Sequence, residues 1–92
     1  MEDNQKFNII FSDNFQKILF KISKKDKQSL KLIEKEVLKI SLNPLIGKPL
    51  RNVLKNYRRI HIDPFVLVYE IKNNEIRFLD YDHHDKIYKK KF

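Results

Sequence analysis

The chain contains no cysteine, so disulfides, thiolate catalysis and Cys-ligated zinc are excluded. Glycine occurs once and proline three times, which leaves no material for a long flexible linker or a low-complexity tract. No apolar run approaches the roughly 20 residues that a bilayer crossing needs. Behind the polar start Met1-Glu2-Asp3-Asn4-Gln5, no apolar run is long enough for a signal peptide. The expectation is a cytoplasmic protein without a membrane partner.

What is present points to one domain over residues 1–92. With 41% apolar and 12% aromatic residues, the chain can fill a dense core despite 35% charged residues. Twenty Lys and Arg against twelve Asp and Glu give a net charge of +8. Such a field favours polyanions, either nucleic acid or an anionic surface, with solubility or an acidic protein partner as plainer meanings. Every arginine, histidine and tyrosine lies within residues 47–92, where phosphate binding and proton transfer are therefore expected.

Residues 6–11 (KFNIIF) read as a strand, and Ser12 as a helix cap. Phe15, Ile18, Leu19 and Ile22 then recur at helical spacing, surrounded by Lys17, Lys21, Lys24 and Lys25. Asp26 caps a second helix, whose buried face is Leu30, Ile33, Val37 and Ile40 and which ends near Leu42, before Asn43-Pro44. Residues 43–56 hold the glycine and two of the prolines and read as a structured loop. Runs at 57–63, 65–71 and 75–81 are rich in β-branched and aromatic residues and read as strands. Asp63-Pro64 and Lys72-Asn73-Asn74 are the turns between them. The order β-α-α-β-β-β predicts an α+β fold, an antiparallel-rich sheet with a helical hairpin packed on one face.

Strand alternation turns Ile60 and Ile62 toward the helices and Tyr57, Arg59, His61 and Asp63 away from them. Parity leaves open whether Leu67 and Tyr69 or their alternating neighbours line that second face. It also leaves open which of Arg77, Leu79 and Tyr81, or Ile76, Phe78 and Asp80, look inward. Residues 82–88 are expected to leave the sheet. Coiled for one turn, they set His84 and Tyr88 on one side, followed by the basic tail Lys89-Lys90-Lys91.

Histidines in a basic, aromatic setting suit cleavage of an RNA phosphodiester without a metal. The ribose 2′-oxygen is the nucleophile, a base takes its proton, an acid protonates the departing 5′-oxygen, and cations hold the phosphate. An aromatic ring can stack on a base. Each part also has a plainer meaning. His61 reads equally as a surface strand residue, Tyr88 and the phenylalanines as packing, and Lys48 and Arg51 as solubilising charge. His83 and His84 with Asp82 and Asp85 could hold a metal, but their spacing matches no closed zinc pattern. On these grounds alone a basic binding module competes with an RNA-directed enzyme, and no cofactor is called for.

Lys48-Pro49-Leu50, Asn56-Tyr57-Arg58-Arg59-Ile60-His61-Ile62-Asp63-Pro64, Val66-Leu67-Val68-Tyr69-Glu70-Ile71 and His84-x-x-x-Tyr88, in that order, resemble the RelE/ParE toxin superfamily. The likeness spans nearly the whole chain and is greatest to the YafQ-like branch of ribosome-dependent messenger RNA endonucleases. The resemblance implies a type II toxin that cuts messenger RNA in the ribosomal decoding site. Its partners would be a cognate antitoxin, the ribosome and the message, with no cofactor and no metal. It implies that His84 is the general base or acid, His61 its partner or a phosphate ligand, Tyr88 a stacking or orienting group, and Lys48 a site cation. It further implies RNA contacts from Arg51, Arg58, Arg59, Phe65, Lys89, Lys90 and Lys91. Lys48 stands where the branch has a histidine, and Pro64 leads straight to Phe65 where the branch has an acid before the aromatic. ParE-type relatives share the fold but bind DNA gyrase and lack the nuclease set. A gyrase-binding toxin, or a non-catalytic basic RNA- or protein-binding module, is therefore the rival reading.

Overall fold

Side-chain caps start both long helices where the sequence places them. The Ser12 hydroxyl accepts the Phe15 N–H at 3.0 Å, and the Asp26 carboxylate accepts the Ser29 N–H at 3.0 Å. The Ser29 hydroxyl and N–H together hold the Asp26 carboxyl below its ordinary value. In the computed structural model, which describes residues 7–50 and 56–90, strand β1 (Asn8–Phe11) leads into helices α1 (Asp13–Lys25) and α2 (Lys27–Leu42). A 3-10 turn (Pro44–Ile46) and the short strand β2 (Lys48–Pro49) follow within the stretch expected to be loop. The meander β3 (Tyr57–Ile62), β4 (Phe65–Lys72) and β5 (Glu75–His83) then ends in the one-turn helix α3 (His84–Ile87).

The sheet order is β1-β5-β4-β3-β2. All neighbours are antiparallel except β1, which returns beside β5 in parallel after the helical hairpin. This is the expected α+β fold, with the hairpin on one face. Asn73, at φ 57°, makes the turn between β4 and β5, a left-handed conformation that asparagine tolerates better than most residues. Among the described residues no helix is long and apolar enough to cross a membrane.

The main core lies between hairpin and sheet. Phe15, Ile33 and Ile40 meet Leu67, Tyr69, Ile76, Phe78 and Tyr81, and Ile60 and Ile62 pack against them from β3. Tyr69 and Phe78 settle the parity of β4 and β5 toward the helices. Tyr81 joins them only because β5 carries a bulge. Val68 pairs with Asp80 while Tyr69 pairs with Phe78, so Leu79 is the extra residue and the alternation reverses beyond it. A smaller cluster on the opposite face consists of Leu50, Val66, Val68 and Ile87, with Tyr57 and Leu79 against it. Asp82 and His83 stay in the sheet opposite Val66 and Phe65 and do not leave it as expected.

The loop before β3 is clamped from the helix side. Buried Tyr69 donates its hydroxyl to the Pro44 carbonyl at 2.6 Å and accepts the Gly47 N–H at 3.0 Å. A Cβ on Gly47 would lie 2.6 Å from that hydroxyl and 2.8 Å from the Arg59 carbonyl, so only glycine fits. Arg58 donates to the Leu45 and Gly47 carbonyls. Lys48 thus leaves a fixed point.

Candidate functional site

Residues opposite one another in neighbouring strands share a face. Lys48 lies opposite Arg59, Arg59 opposite Val68, and His61 opposite Val66. Lys48, Arg59 and His61 therefore stand together on the face away from the helices. The C-terminal segment folds back over this face. The His84 N–H bonds the Pro64 carbonyl at 3.0 Å, α3 makes its turn, and Ile87, only 1% exposed, seats on Leu50, Val66 and Val68.

That seat delivers Tyr88 to β3. Its Oη lies 3.1 Å from His61 Nε2, and the Arg59 guanidinium carbon lies 5.7 Å from its ring centre, within cation–π range. Arg59 also donates to the Pro49 carbonyl at 2.7 Å. Among the described residues, its Nε is a buried donor without a hydrogen-bond partner.

Lys90 anchors the end of the segment. Its ammonium lies 2.6 Å from Asp80 Oδ2 and 3.1 Å from Asp82 Oδ2. Asp80 is 4% exposed, and its other oxygen accepts the Tyr81 N–H. Burial pushes the Asp82 carboxyl up, but the His83 N–H and Lys90 outweigh it and hold the group below its ordinary value. Burial likewise pulls Lys90 down, and Asp80 and Asp82 more than reverse it.

The histidines are not joined in the way the sequence suggests. His61 is paired with Tyr88, whereas His84 Nδ1 lies 3.1 Å from Asp85 Oδ1 with its ring 4.5 Å from that of His83. Lys89 is exposed beside Tyr88. Phe65 is on the helix side, stacked on Tyr81 at 5.0 Å, and is not on the face that carries His61. Arg58 is held by the loop carbonyls, and Lys90 by its two carboxylates. Arg51 and Lys91 lie outside the described residues. Of the expected cations, Arg59 touches the Tyr88 ring and Lys48 shares the face of the His61–Tyr88 pair. Sequence reasoning missed Asp80, Asp82 and Ile87. An apolar residue between His84 and Tyr88, and acids spaced before a lysine, were the only signals.

His61 is exposed and Tyr88 is 48% exposed, so the site is a shallow basic surface rather than an enclosed pocket. A five-stranded sheet, covered on one face by a helical hairpin and carrying such a surface on the other, makes a small α+β domain with one open basic face. The family model described as the ParE toxin of type II toxin-antitoxin systems matches residues 9–88. A provisionally named toxin, RelE4 of Methanocaldococcus jannaschii, is 46% identical over 88 residues, covering 92% of this chain and 94% of its own. The YoeB dimer from Staphylococcus aureus aligns with TM-score 0.75 and 26% identity, over 86% of this chain and 98% of that one. YafQ from E. coli strain BL21(DE3) aligns with TM-score 0.64 and 26% identity, over 90% and 99%. The chain belongs to the RelE/ParE superfamily of toxin-antitoxin toxins. The relatives span YoeB, YafQ and ParE types and favour no single branch.

Proposed function

We propose that this toxin is a metal-independent endoribonuclease acting on messenger RNA at the ribosome. The observation that carries the reading is the hydrogen bond between His61 Nε2 and Tyr88 Oη, made on the same surface as Arg59 and Lys48. A packed core does not need an exposed histidine tied to an exposed tyrosine across 27 residues of sequence. A proton-transfer site does, because the second ring nitrogen must be aimed. The shallow surface suits an extended polymer presented by a larger body.

In this reading the 2′-oxygen attacks the adjacent phosphorus as its proton passes to an imidazole. The P–O5′ bond breaks as the 5′-oxygen gains a proton. The products are a 2′,3′-cyclic phosphate and a free 5′-hydroxyl. Tyr88 orients His61, Arg59 and Lys48 stabilise the charge gathering on the phosphate, and His84 beside Asp85 supplies the second imidazole. A cognate antitoxin would restrain the protein.

The test is primer extension on one message with and without translating ribosomes, comparing wild type, His61→Ala, His84→Ala and Tyr88→Phe. Cuts that need ribosomes, and that fall by about 100-fold or more in His61→Ala, are expected. Full cleavage by His61→Ala refutes the assignment of that residue. A second reading is favoured by the family model over residues 9–88, whose description is a ParE toxin. On that reading the same surface binds DNA gyrase without cutting RNA. Intact messages together with inhibited supercoiling by purified gyrase would select it.

A further inference from the structure

We infer that His83, His84 and Asp85 form a binding site for a divalent cation of the zinc class, whose occupancy would withdraw His84 from the proton-transfer role proposed above. One ligand atom from each residue can be chosen so that all three lie within 4.8 Å of one another. His83 Nδ1 is 3.6 Å from Asp85 Oδ2, and His84 Nδ1 is 3.1 Å from Asp85 Oδ1. Zinc bonds of about 2.0–2.1 Å to nitrogen and oxygen place tetrahedral ligand atoms roughly 3.3–3.4 Å apart. The two observed separations run to different oxygens of the one carboxylate, so a zinc ion held by both imidazoles would need the exposed Asp85 side chain to turn and present one oxygen to both.

The surroundings favour a metal over a simple ion pair. Two imidazoles whose centres are 4.5 Å apart turn their Nδ1 atoms toward one carboxylate. Charging both rings for ion pairing would set like charges side by side, whereas a metal uses both as neutral donors. His83 Nδ1 already accepts the Asp85 N–H at 3.2 Å, so its lone pair is on the nitrogen that would bind. The His83 ring is steadied by Phe65, edge-on at 6.0 Å. Binding at this nitrogen would replace the bond from the Asp85 N–H, the cap of α3.

Among the described residues little competes for the cation. Asp82, the adjacent acid, is held by Lys90 and by the His83 N–H. Cysteine is absent, and the remaining histidine, His61, is occupied with Tyr88. Three protein ligands leave a fourth position open on the solvent side, as in sites that admit water, an anion or a ligand from a second molecule. Because this rim adjoins the His61–Tyr88 surface, a bound cation would add positive charge there.

The experiment is calorimetric titration of the full chain with zinc chloride alone, in a non-chelating buffer near pH 7.5. One zinc per chain is expected. Binding should weaken by at least about tenfold in His83→Ala and in His84→Ala, and persist in His61→Ala. In parallel, imidazole nitrogen resonances of the wild-type protein should move for His83 and His84 and stay for His61. This second readout does not depend on any variant folding. No saturable zinc binding, equal binding by the His83→Ala/His84→Ala double variant, or shifts confined to His61 would each overturn the inference.

Discussion

Replacing Ile87 by alanine tests whether the C-terminal segment is an integral part of the site. Ile87 is 1% exposed and packs on Leu50, Val66 and Val68, across the sheet from the main core. The change deletes the equivalent of three buried methylene groups, a transfer loss of about 2.4 kcal/mol, and any unfilled cavity raises the cost to about 3–4 kcal/mol. A domain of this size holds only about 5–14 kcal/mol in total. If the site stays shut, the whole loss appears in global stability, with a melting temperature lower by at least about 10 °C.

The segment has an alternative to keeping the cavity, which is to lift off. In that case the loss is local. The Lys89 and Lys90 amides, bonded to the Lys86 and Ile87 carbonyls, and the His84 amide on Pro64 lose protection. The His61–Tyr88 bond breaks with them while β4 and β5 remain protected. Urea unfolding followed by circular dichroism, with native-state hydrogen exchange on the same variant, separates the two responses. A loss below about 0.5 kcal/mol with unchanged protection of all three amides would refute the claim that Ile87 seats the segment.

Gly47→Ala must displace the Tyr69 hydroxyl or the Arg59 carbonyl, since its Cβ falls 2.6 and 2.8 Å from them; a destabilisation of about 1–3 kcal/mol is expected in urea unfolding. Tyr69→Phe removes the hydroxyl that serves both Pro44 and Gly47 and should cost a similar amount, about 1–3 kcal/mol, by the same assay. The Lys90 anchor gives stability a dependence on pH at both extremes. The folded value of Asp82 lies below 3.8, so its stabilisation is present above about pH 4 and is lost as pH falls through the folded value. The folded value of Lys90 lies above 10.5, so its stabilisation is full below that pH and is lost as pH rises through the folded value. Lys90→Met should flatten both limbs of a plot of stability against pH, and unchanged limbs would remove the anchor from the account.

Much of this architecture was legible because its signals are local. Ser12 and Asp26 cap helices through bonds to residues three positions on, and the apolar spacing of Phe15, Ile33 and Ile40 marks the faces that become buried. Alternation in β3 correctly separates Ile60 and Ile62 from Arg59 and His61. What escaped the sequence depends on distant partners. The parallel pairing of β1 with β5 is decided by sheet closure, not by either strand. The resemblance implies RNA contacts from Phe65 and Arg58; the placements that the sequence does not show are Phe65 stacked on Tyr81 and Arg58 bonded to the loop carbonyls.

The bulge at Leu79 explains why the site itself was the least legible part. Without it, strict alternation would put Tyr81 on the face with Arg77 and Leu79, and the Asp80 carboxylate on the helix side among apolar side chains, away from Lys90. The extra residue exchanges them. Tyr81 enters the core against Phe65, and Asp80 emerges opposite Val68, on the face crossed by the C-terminal segment. There it meets Lys90, and the two-residue step from Lys90 back to Tyr88 sets the ring against Arg59 and its hydroxyl against His61. One irregularity in β5 thus both completes the core on one side and anchors the histidine–tyrosine pair on the other. A change that restored regular pairing there would have to sacrifice both at once.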